Sequence, residues 1–337
     1  MLVVIVFLVA LLAFANGAND NGKGVATLVG FGAASVRQAL AWALITTAAG
    51  AVLSFWFAGG LIKSFSAGLF ADGTPVGGPF FAAVLIGAIG WVAFATYTGM
   101  PVSTTHAITG GLVGAGLTAF SSSQIRWQEL GTKVGVPLAV SPVLSTVLVY
   151  VLALPVAAIA RRSRIPAEPV DPISGEPMKS GFFGTALHWA TSGLVGFARG
   201  WNDAPKIAAL TMGALTTSGV ANAMAIAFAV VTFSMALGGI LAGRRVLEMM
   251  ATKLTPLPLA ESLTASTTTA ALVSAASWAG LPVSTTHVST GAIIGAGLAN
   301  DPKEVKWGKV RDIVVSWLVT LPVAAMIAAA AKWLMPH

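Results

Sequence analysis

The chain has 337 residues, 56% of them apolar and only 9% charged, with a formal net charge of +7 and a mean hydropathy of +0.83. So few charges cannot solvate the surface of a water-soluble globule of this size, and the composition selects a lipid bilayer as the solvent. The absence of cysteine excludes disulfides and thiolate metal sites.

Taken in chain order, the first apolar run covers residues 2 to 34 and carries "GANDNGK" at 17 to 23. Its "AFA" at 13 to 15 resembles a signal-peptide cleavage site, but no basic region precedes it and a similar run recurs internally at 183 to 199, which favours a retained helix. A second long run follows at 38 to 60, then two shorter ones at 80 to 98 and 102 to 120, then a long one at 131 to 160. The polar, proline-rich "RRSRIPAEPVDPISGEPMKS" at 161 to 180 reads as a solvent-exposed linker. Beyond it the plan restarts: long runs at 183 to 217 and 219 to 242, shorter ones at 262 to 279 and 283 to 299, and a last long run at 312 to 334. At about 1.5 Å per residue the long runs span the roughly 30 Å of hydrocarbon in a bilayer. The 37 glycines and 17 prolines inside them suit packed, locally broken membrane helices better than alternating strands. The expectation is an all-α polytopic membrane protein with two transmembrane repeats, 1–160 and 183–337, joined by a linker at 161–182.

The repeat is explicit. "PVSTTHAITGGLVGAG" at 101 to 116 and "PVSTTHVSTGAIIGAG" at 282 to 297 agree at eleven of sixteen positions, and Asp20 of GAND is matched by Asp203 of GWND 183 residues later. Charge placement predicts that the two copies are inverted. With the linker on the cytoplasmic side, and the paired short runs folded as re-entrant hairpins, twelve Lys and Arg residues fall inside and four (Lys63, Arg126, Lys133, Lys332) outside. Both termini are then outside, in the plasma (bacterial inner) membrane. The positive charge is a topology signal, so no nucleic-acid partner is expected.

Inverted repeats with interrupted helices in matching places predict a transporter whose substrate sits near the midplane, where the halves meet. In PVSTTH, Pro101 and Pro282 suit a helix start, and Ser103, Thr104, Thr105 and Ser284, Thr285, Thr286 are N-cap types carrying hydroxyls. A helix start inside a membrane leaves backbone amides unpaired, for which an anion is an acceptor. The bland alternative is that these residues only cap broken helices and glue packed ones. His106 and His287 read as hydrogen-bonded structural residues or as proton carriers. Asp20 and Lys23, and likewise Asp203 and Lys206, stand three apart, share a helix face and sum to zero charge. They either fix helix packing or take part in transport. Beside Asn19 and Asn202 they offer donors to an anion's oxygens and acceptors to a proton the anion carries. That favours phosphate over sulfate, which has no proton to give at neutral pH.

These paired GxND and PVSTTH motifs, with "GRRVLEMMATKLT" at 243 to 255, resemble the PiT family of inorganic phosphate transporters over nearly the whole chain outside the linker. The resemblance implies an inverted-repeat carrier, usually a homodimer, moving phosphate with a cation. Substrate contacts would come from Asn19, Asp20, Ser103, Thr104, Thr105, Asn202, Asp203, Ser284, Thr285 and Thr286. Sulfate carriers among family relatives keep a second oxyanion in view. Sodium-coupled members typically have Asn where this chain has Lys23 and Lys206. The two ammoniums are therefore expected to supply the charge that sodium supplies elsewhere, making the coupling ion a proton, with sodium near Asp20 and Asp203 the alternative. Arg199, Trp201 and Pro205 also depart from the usual second motif. No cofactor or resident metal is expected. An intramembrane hydrolase and a passive anion channel are the rival classes. The symmetric duplication, and a lysine beside each carboxylate, count against a protease dyad.

Overall fold

The computed structural model describes residues 1–57, 59–66, 68–162, 182–217 and 220–335. Most of the expected linker therefore lies outside the described residues. The first half comprises α1 (Leu2–Asp20), a 3₁₀ turn (Asn21–Val25), α2 (Ala26–Gly30), α3 (Val36–Phe57), α4 (Gly59–Ser66), α5 (Gly78–Thr98), α6 (Thr104–Ala119) and α7 (Trp127–Glu129). A π-helical stretch (Leu130–Gly135) carries α7 into α8 (Val136–Arg162). The second half comprises α9 (Phe182–Thr217), α10 (Ala223–Ala242), α11 (Arg244–Thr252), α12 (Leu259–Trp278), α13 (Thr285–Asn300) and α14 (Trp307–Trp333). No strand occurs among the described residues beyond one antiparallel bridge between Phe70 and Ile125. The protein is an all-helical integral membrane protein.

Six stretches among the described residues are long and apolar enough to cross a bilayer: 2–30, 36–57, 78–98, 127–159, 223–242 and 307–333. α9 is longer than any of them at 36 residues, or about 54 Å. Its apolar pattern is interrupted by Arg199, Asp203 and Lys206.

The two motif helices differ. α1 gives way at Asp20 to the 3₁₀ turn, whereas α9 runs unbroken through Asp203 and Pro205. The break at the aspartate is therefore present in one copy, whereas the interruption expected at PVSTTH is present in both. Gly22 and Gly24 lower the helical preference of the first copy, while alanine-rich sequence follows Pro205 in the second. Each PVSTTH stretch joins two helices at the tip of a hairpin. α5 ends on left-handed Gly99 and α12 is followed by left-handed Gly280, φ 74° and 68°, a conformation that glycine adopts without steric cost. Pro101 and Pro282 lie in the short connections rather than in the first helical turn, and Ser103 and Ser284 are the N-caps.

The halves are joined by exchange. α6 of the first packs on α14 of the second, while α13 packs on α8; α1 packs on α10, while α9 packs on α3. Such reciprocal pairing is consistent with two copies related by a pseudo-twofold axis. It brings backbones close. A Cβ on Gly17 would lie 1.9 Å from the Met235 carbonyl oxygen, and one on Gly238 would lie 2.0 Å from that of Phe14. Gly17→Ala or Gly238→Ala is expected to cost about 1–3 kcal/mol through overpacking. The melting temperature of the solubilised protein should fall, with Gly131→Ala, which meets nothing within 4 Å, as the silent control.

Arg37, Arg244, Arg245 and Lys253 line one cavity of about 1320 Å³, and the Lys306 amide bonds to Leu254 beside it. At matching places in the first half, the Arg126 amide bonds to Leu69 and its side chain pairs with Asp72.

Candidate functional site

The structure brings Asn19, Asp20, Lys23, Thr104, Thr105, Asn202, Asp203, Lys206 and Thr286 into one buried cluster between the hairpin tips and the motif helices. Lys23, in the 3₁₀ turn after Asp20, lies against Asn19 and reaches the tip of the first hairpin. Its ammonium contacts four oxygens: the Asp20 carboxylate, Asn19 Oδ1 at 2.7 Å, the Val102 carbonyl at 2.8 Å and Thr286 Oγ1 at 2.6 Å. The second copy repeats this set. Lys206 contacts Asp203 Oδ1 at 2.8 Å, Asn202 Oδ1 at 2.6 Å, Thr105 Oγ1 at 2.6 Å and the Val283 carbonyl at 3.3 Å.

In each case the threonine belongs to the opposite half. Lys23 reaches Thr286 and Lys206 reaches Thr105, while Thr286 donates to the Val102 carbonyl at 2.8 Å and Thr105 to that of Val283 at 3.4 Å. The two tips are thus stitched to each other and to both motif helices. The asparagines hold the tips from behind. Asn19 accepts from the Val102 amide at 3.1 Å and donates to Thr96 and to the Met100 carbonyl, each at 3.0 Å; Asn202 donates to Ser277 at 2.8 Å. Thr96 and Ser277 occupy matching places on α5 and α12. Unpaired backbone groups at a hairpin tip are costly away from water, and these side chains satisfy them.

Asp20 also accepts from Asn16 at 2.7 Å and from Thr104 at 3.2 Å. Thr285, the counterpart of Thr104, is buried without a corresponding bond to Asp203. Ser103 and Ser284 accept from the amides of His106 and His287, both at 3.2 Å, so their hydroxyls are engaged as caps. The histidines lie behind the cluster, with ring centroids 4.6 Å apart and His287 against Trp317 at 3.9 Å. Both border an apolar cavity of about 850 Å³ between α8 and α14. His287 Nδ1 is 3.2 Å from the Leu138 carbonyl, and neither ring bonds to the charged cluster.

Sequence reasoning noted Arg199 only as a departure, and the structure places it inside the cluster. At 1% exposure it bonds to Asn16 Oδ1 at 3.2 Å and to Asn21 Oδ1, and lies 3.7 Å from Asp203 Oδ2. The buried charges therefore sum to +1, where two Asp–Lys pairs alone sum to zero. Aligning the two motifs four residues further upstream pairs Asn16 with Arg199, the signal that reveals it.

Chemically the cluster holds three buried cation-to-carboxylate contacts, Lys23 with Asp20 and both Lys206 and Arg199 with Asp203. The cavity beside Lys23 is about 10 Å³, about the room of one water molecule. Admitting a tetrahedral oxyanion therefore requires the hairpin tips and motif helices to part. Among the described residues no group of three or more His, Asp or Glu side chains is placed to hold a metal ion.

Comparison with known proteins gives a consistent result. The profile of the phosphate transporter family matches residues 16–328. A protein of Rhizobium meliloti (strain 1021) described as "Probable low-affinity inorganic phosphate transporter" is 33% identical over 321 residues, covering 94% of this chain and 91% of its own. One with the same description from Mycobacterium tuberculosis (strain ATCC 25618 / H37Rv) is 32% identical over 336 residues, covering 98% and 76%. Among solved structures, one titled "The sodium-dependent phosphate transporter" superposes with a TM-score of 0.81 at 27% identity, covering 98% of each chain.

Proposed function

This chain belongs to the phosphate transporter family, and from that premise we propose that it imports inorganic phosphate by cation symport, with the anion bound where the hairpin tips meet the motif helices. The family is one of transporters, so the hydrolase alternative is set aside. One observation carries the siting: the reciprocal crossing in which Lys23 holds Thr286 and Lys206 holds Thr105. A site built equally from both repeats opens to alternate sides when the repeats rock against each other, as alternating access requires.

The proposed substrate ligands are Asn19, Asp20, Ser103, Thr104 and Thr105 with Asn202, Asp203, Ser284, Thr285 and Thr286. Ser103 and Ser284 act mainly by holding their helix starts. Lys23 and Lys206 are the charge-compensating groups. Each ammonium sits among a carboxylate, an amide oxygen, a backbone carbonyl and a hydroxyl, the oxygen set that a hard metal cation takes. A sodium ion brought to the same carboxylate would face a fixed cation, repelled by about 4 kcal/mol at 4 Å for an effective dielectric near 20. That favours the proton as coupling ion. His106 and His287, next to each other and to the site, are the neighbouring groups able to relay one.

The cavity lined by Arg37, Arg244, Arg245 and Lys253 would be the cytoplasmic vestibule, since it gathers the basic residues expected inside. Arg245 caps the end of α5 there, donating to the Tyr97 carbonyl at 2.7 Å with its guanidinium 5.0 Å from the Tyr97 ring centroid. On the matching wall of the second hairpin, Trp278 meets Phe57 and Trp201 at 5.9 and 6.2 Å, an apolar contact in place of the cation. Both termini would lie outside, with the 161–182 segment cytoplasmic and the carrier a homodimer.

The test is uptake of labelled phosphate into proteoliposomes under a proton gradient and, separately, a sodium gradient, with excess unlabelled sulfate as competitor. Proton-driven accumulation resistant to sulfate is expected. Strong sulfate competition would move the substrate to that anion, a reading favoured by the lysines that mask both carboxylates. Leakage to equilibrium without accumulation would make the protein a channel.

A further inference from the structure

The two repeats flank the charged cluster with unlike walls. One wall, contributed by α2, α9, α12 and α13, is polar: Thr27, His188, Ser266, Thr269 and Ser289, all buried. Shifting each by the repeat, 183 residues around the aspartates and 181 around PVSTTH, gives Leu210, Ile5, Leu85, Ala88 and Ile108, all buried in the apolar core. Polar groups are costly to bury, so packing alone does not account for a wall that one repeat builds from hydrocarbon and the other from hydroxyls and an imidazole.

The polar groups are joined. Thr27, Ser266, Thr269 and Ser289 line, with Lys23, the cavity that has room for one water molecule. The Thr27 hydroxyl lies 2.9 Å from that of Ser266 and 3.2 Å from His188 Nε2. His188 is 0% exposed, and its Nδ1 is without a partner among the described residues. α9 and α12 run side by side in one register, since Asn202 bonds to Ser277 and a Cβ on Gly184 would meet Leu259. That register sets Glu261, buried in the first turn of α12, within one helical turn of the level of His188. Both helices begin at this end, α9 directly after the segment proposed to be cytoplasmic.

Other titratable groups on the elements around His188 are few. α1 carries Asp20 and the turn after it Lys23, while Arg199, Asp203 and Lys206 follow three turns or more along α9 itself. α3 has Arg37 in its first turn, α4 has Lys63 and α5 has Tyr97; α2 and α10 have none. Behind α12, α13 carries His287, and α8 carries Tyr150 and ends in Arg161 and Arg162. His106 and His287 border an apolar cavity, whereas His188 is hydrogen-bonded toward the cluster.

We propose that Ser266, Thr27 and His188 form a proton path from the water-sized cavity beside Lys23 to Glu261, through which the site exchanges its coupling proton with the cytoplasmic side. The inference rests on the reading of the protein as a proton-coupled phosphate carrier. A proton from the water in that cavity joins the Ser266 oxygen as Ser266 passes its own to Thr27, and Thr27 passes its own to Nε2. The imidazolium then releases the Nδ1 proton toward Glu261, a two-ended transfer open to histidine. One proton leaves the cluster and no other bond changes.

The experiment compares two modes of transport in proteoliposomes. Net uptake of labelled phosphate under a proton gradient, with the lumen followed by a pH dye, requires the proton to be released. Exchange of labelled for unlabelled phosphate at equal pH lets the carrier return still loaded, so the path need not open. His188→Gln, which keeps a hydrogen-bonding side chain that does not titrate, should slow net uptake and lumen acidification by about tenfold or more, with exchange kept near the unaltered rate. If the glutamine variant is not monodisperse, Ser266→Ala, which breaks the link to Thr27 without touching the ring, reads the same split. Equal loss of both modes would mark a packing role and overturn the inference, as would net uptake that neither variant slows. An unaltered protein that a sodium gradient drives and a proton gradient does not would overturn the coupling reading itself, a result seen without any variant.

Discussion

Replacing Lys23 and Lys206 together by asparagine is expected to make phosphate uptake sodium-dependent. Each ammonium now fills a pocket of four oxygens contributed by an aspartate, an asparagine, a tip carbonyl and a threonine of the other half. Asparagine is too short to reach Val102 or Val283 as lysine does. The double variant would leave both carboxylates and both carbonyls exposed to a small cation from solution. Without sodium, uptake should fall by about a hundredfold or more, because removing one partner of a buried pair costs about 3–5 kcal/mol. With sodium, a substantial part should return. The measurement is initial uptake against sodium concentration at constant ionic strength and pH. A variant whose uptake is unchanged, with no dependence on sodium, would show that the lysines do not stand in for the ion.

The second large effect is expected at Asp20. Its carboxylate receives Asn16, Thr104 and Lys23 and lies 3.3 Å from Thr286, so four partners converge on one side chain. Asp20→Asn preserves the shape but strands the Lys23 ammonium at 3% exposure. Transport should drop by about two orders of magnitude or more, and the stranded charge should lower stability by about 3–5 kcal/mol. Asp20→Asn combined with Lys23→Met removes both charges and separates the two consequences. Thermal stability should recover, because a buried pair replaced by neutral groups often costs little, while transport should stay lost. Recovery of transport in the double variant would assign the pair to packing alone.

Much of the fold is legible in the sequence for a simple reason. Membrane helices announce themselves by length and apolarity, and the duplicated PVSTTH fixes both hairpin tips. The i,i+3 spacing of Asp20 with Lys23 and of Asp203 with Lys206 correctly predicts two ion pairs, since that spacing is local. What escapes local patterning is everything contributed across the halves. Nothing near Lys23 in sequence points to Thr286, 263 positions away, or near Arg199 to Asn16 and Asn21. The N-cap character of Ser103 and Ser284, by contrast, is local and legible, and each oxygen accepts from the amide three residues on. The unequal break at the two aspartates was also hidden, because GANDNGK and GWNDAPK look alike until Gly22 and Gly24 are weighed against Pro205 in an otherwise alanine-rich run.

The exchange of helices between the halves bears on how the protein is made. A ribosome delivers the first repeat to the membrane before the second exists. At that stage α6 lacks α14, α8 lacks α13, and Lys23 lacks the threonine that completes its oxygen cage. The nascent first repeat thus holds glycine-lined grooves and a partly satisfied ammonium with only lipid or insertion machinery to cover them. The packing of the first copy is therefore completed only when α10, α13 and α14 of the second arrive.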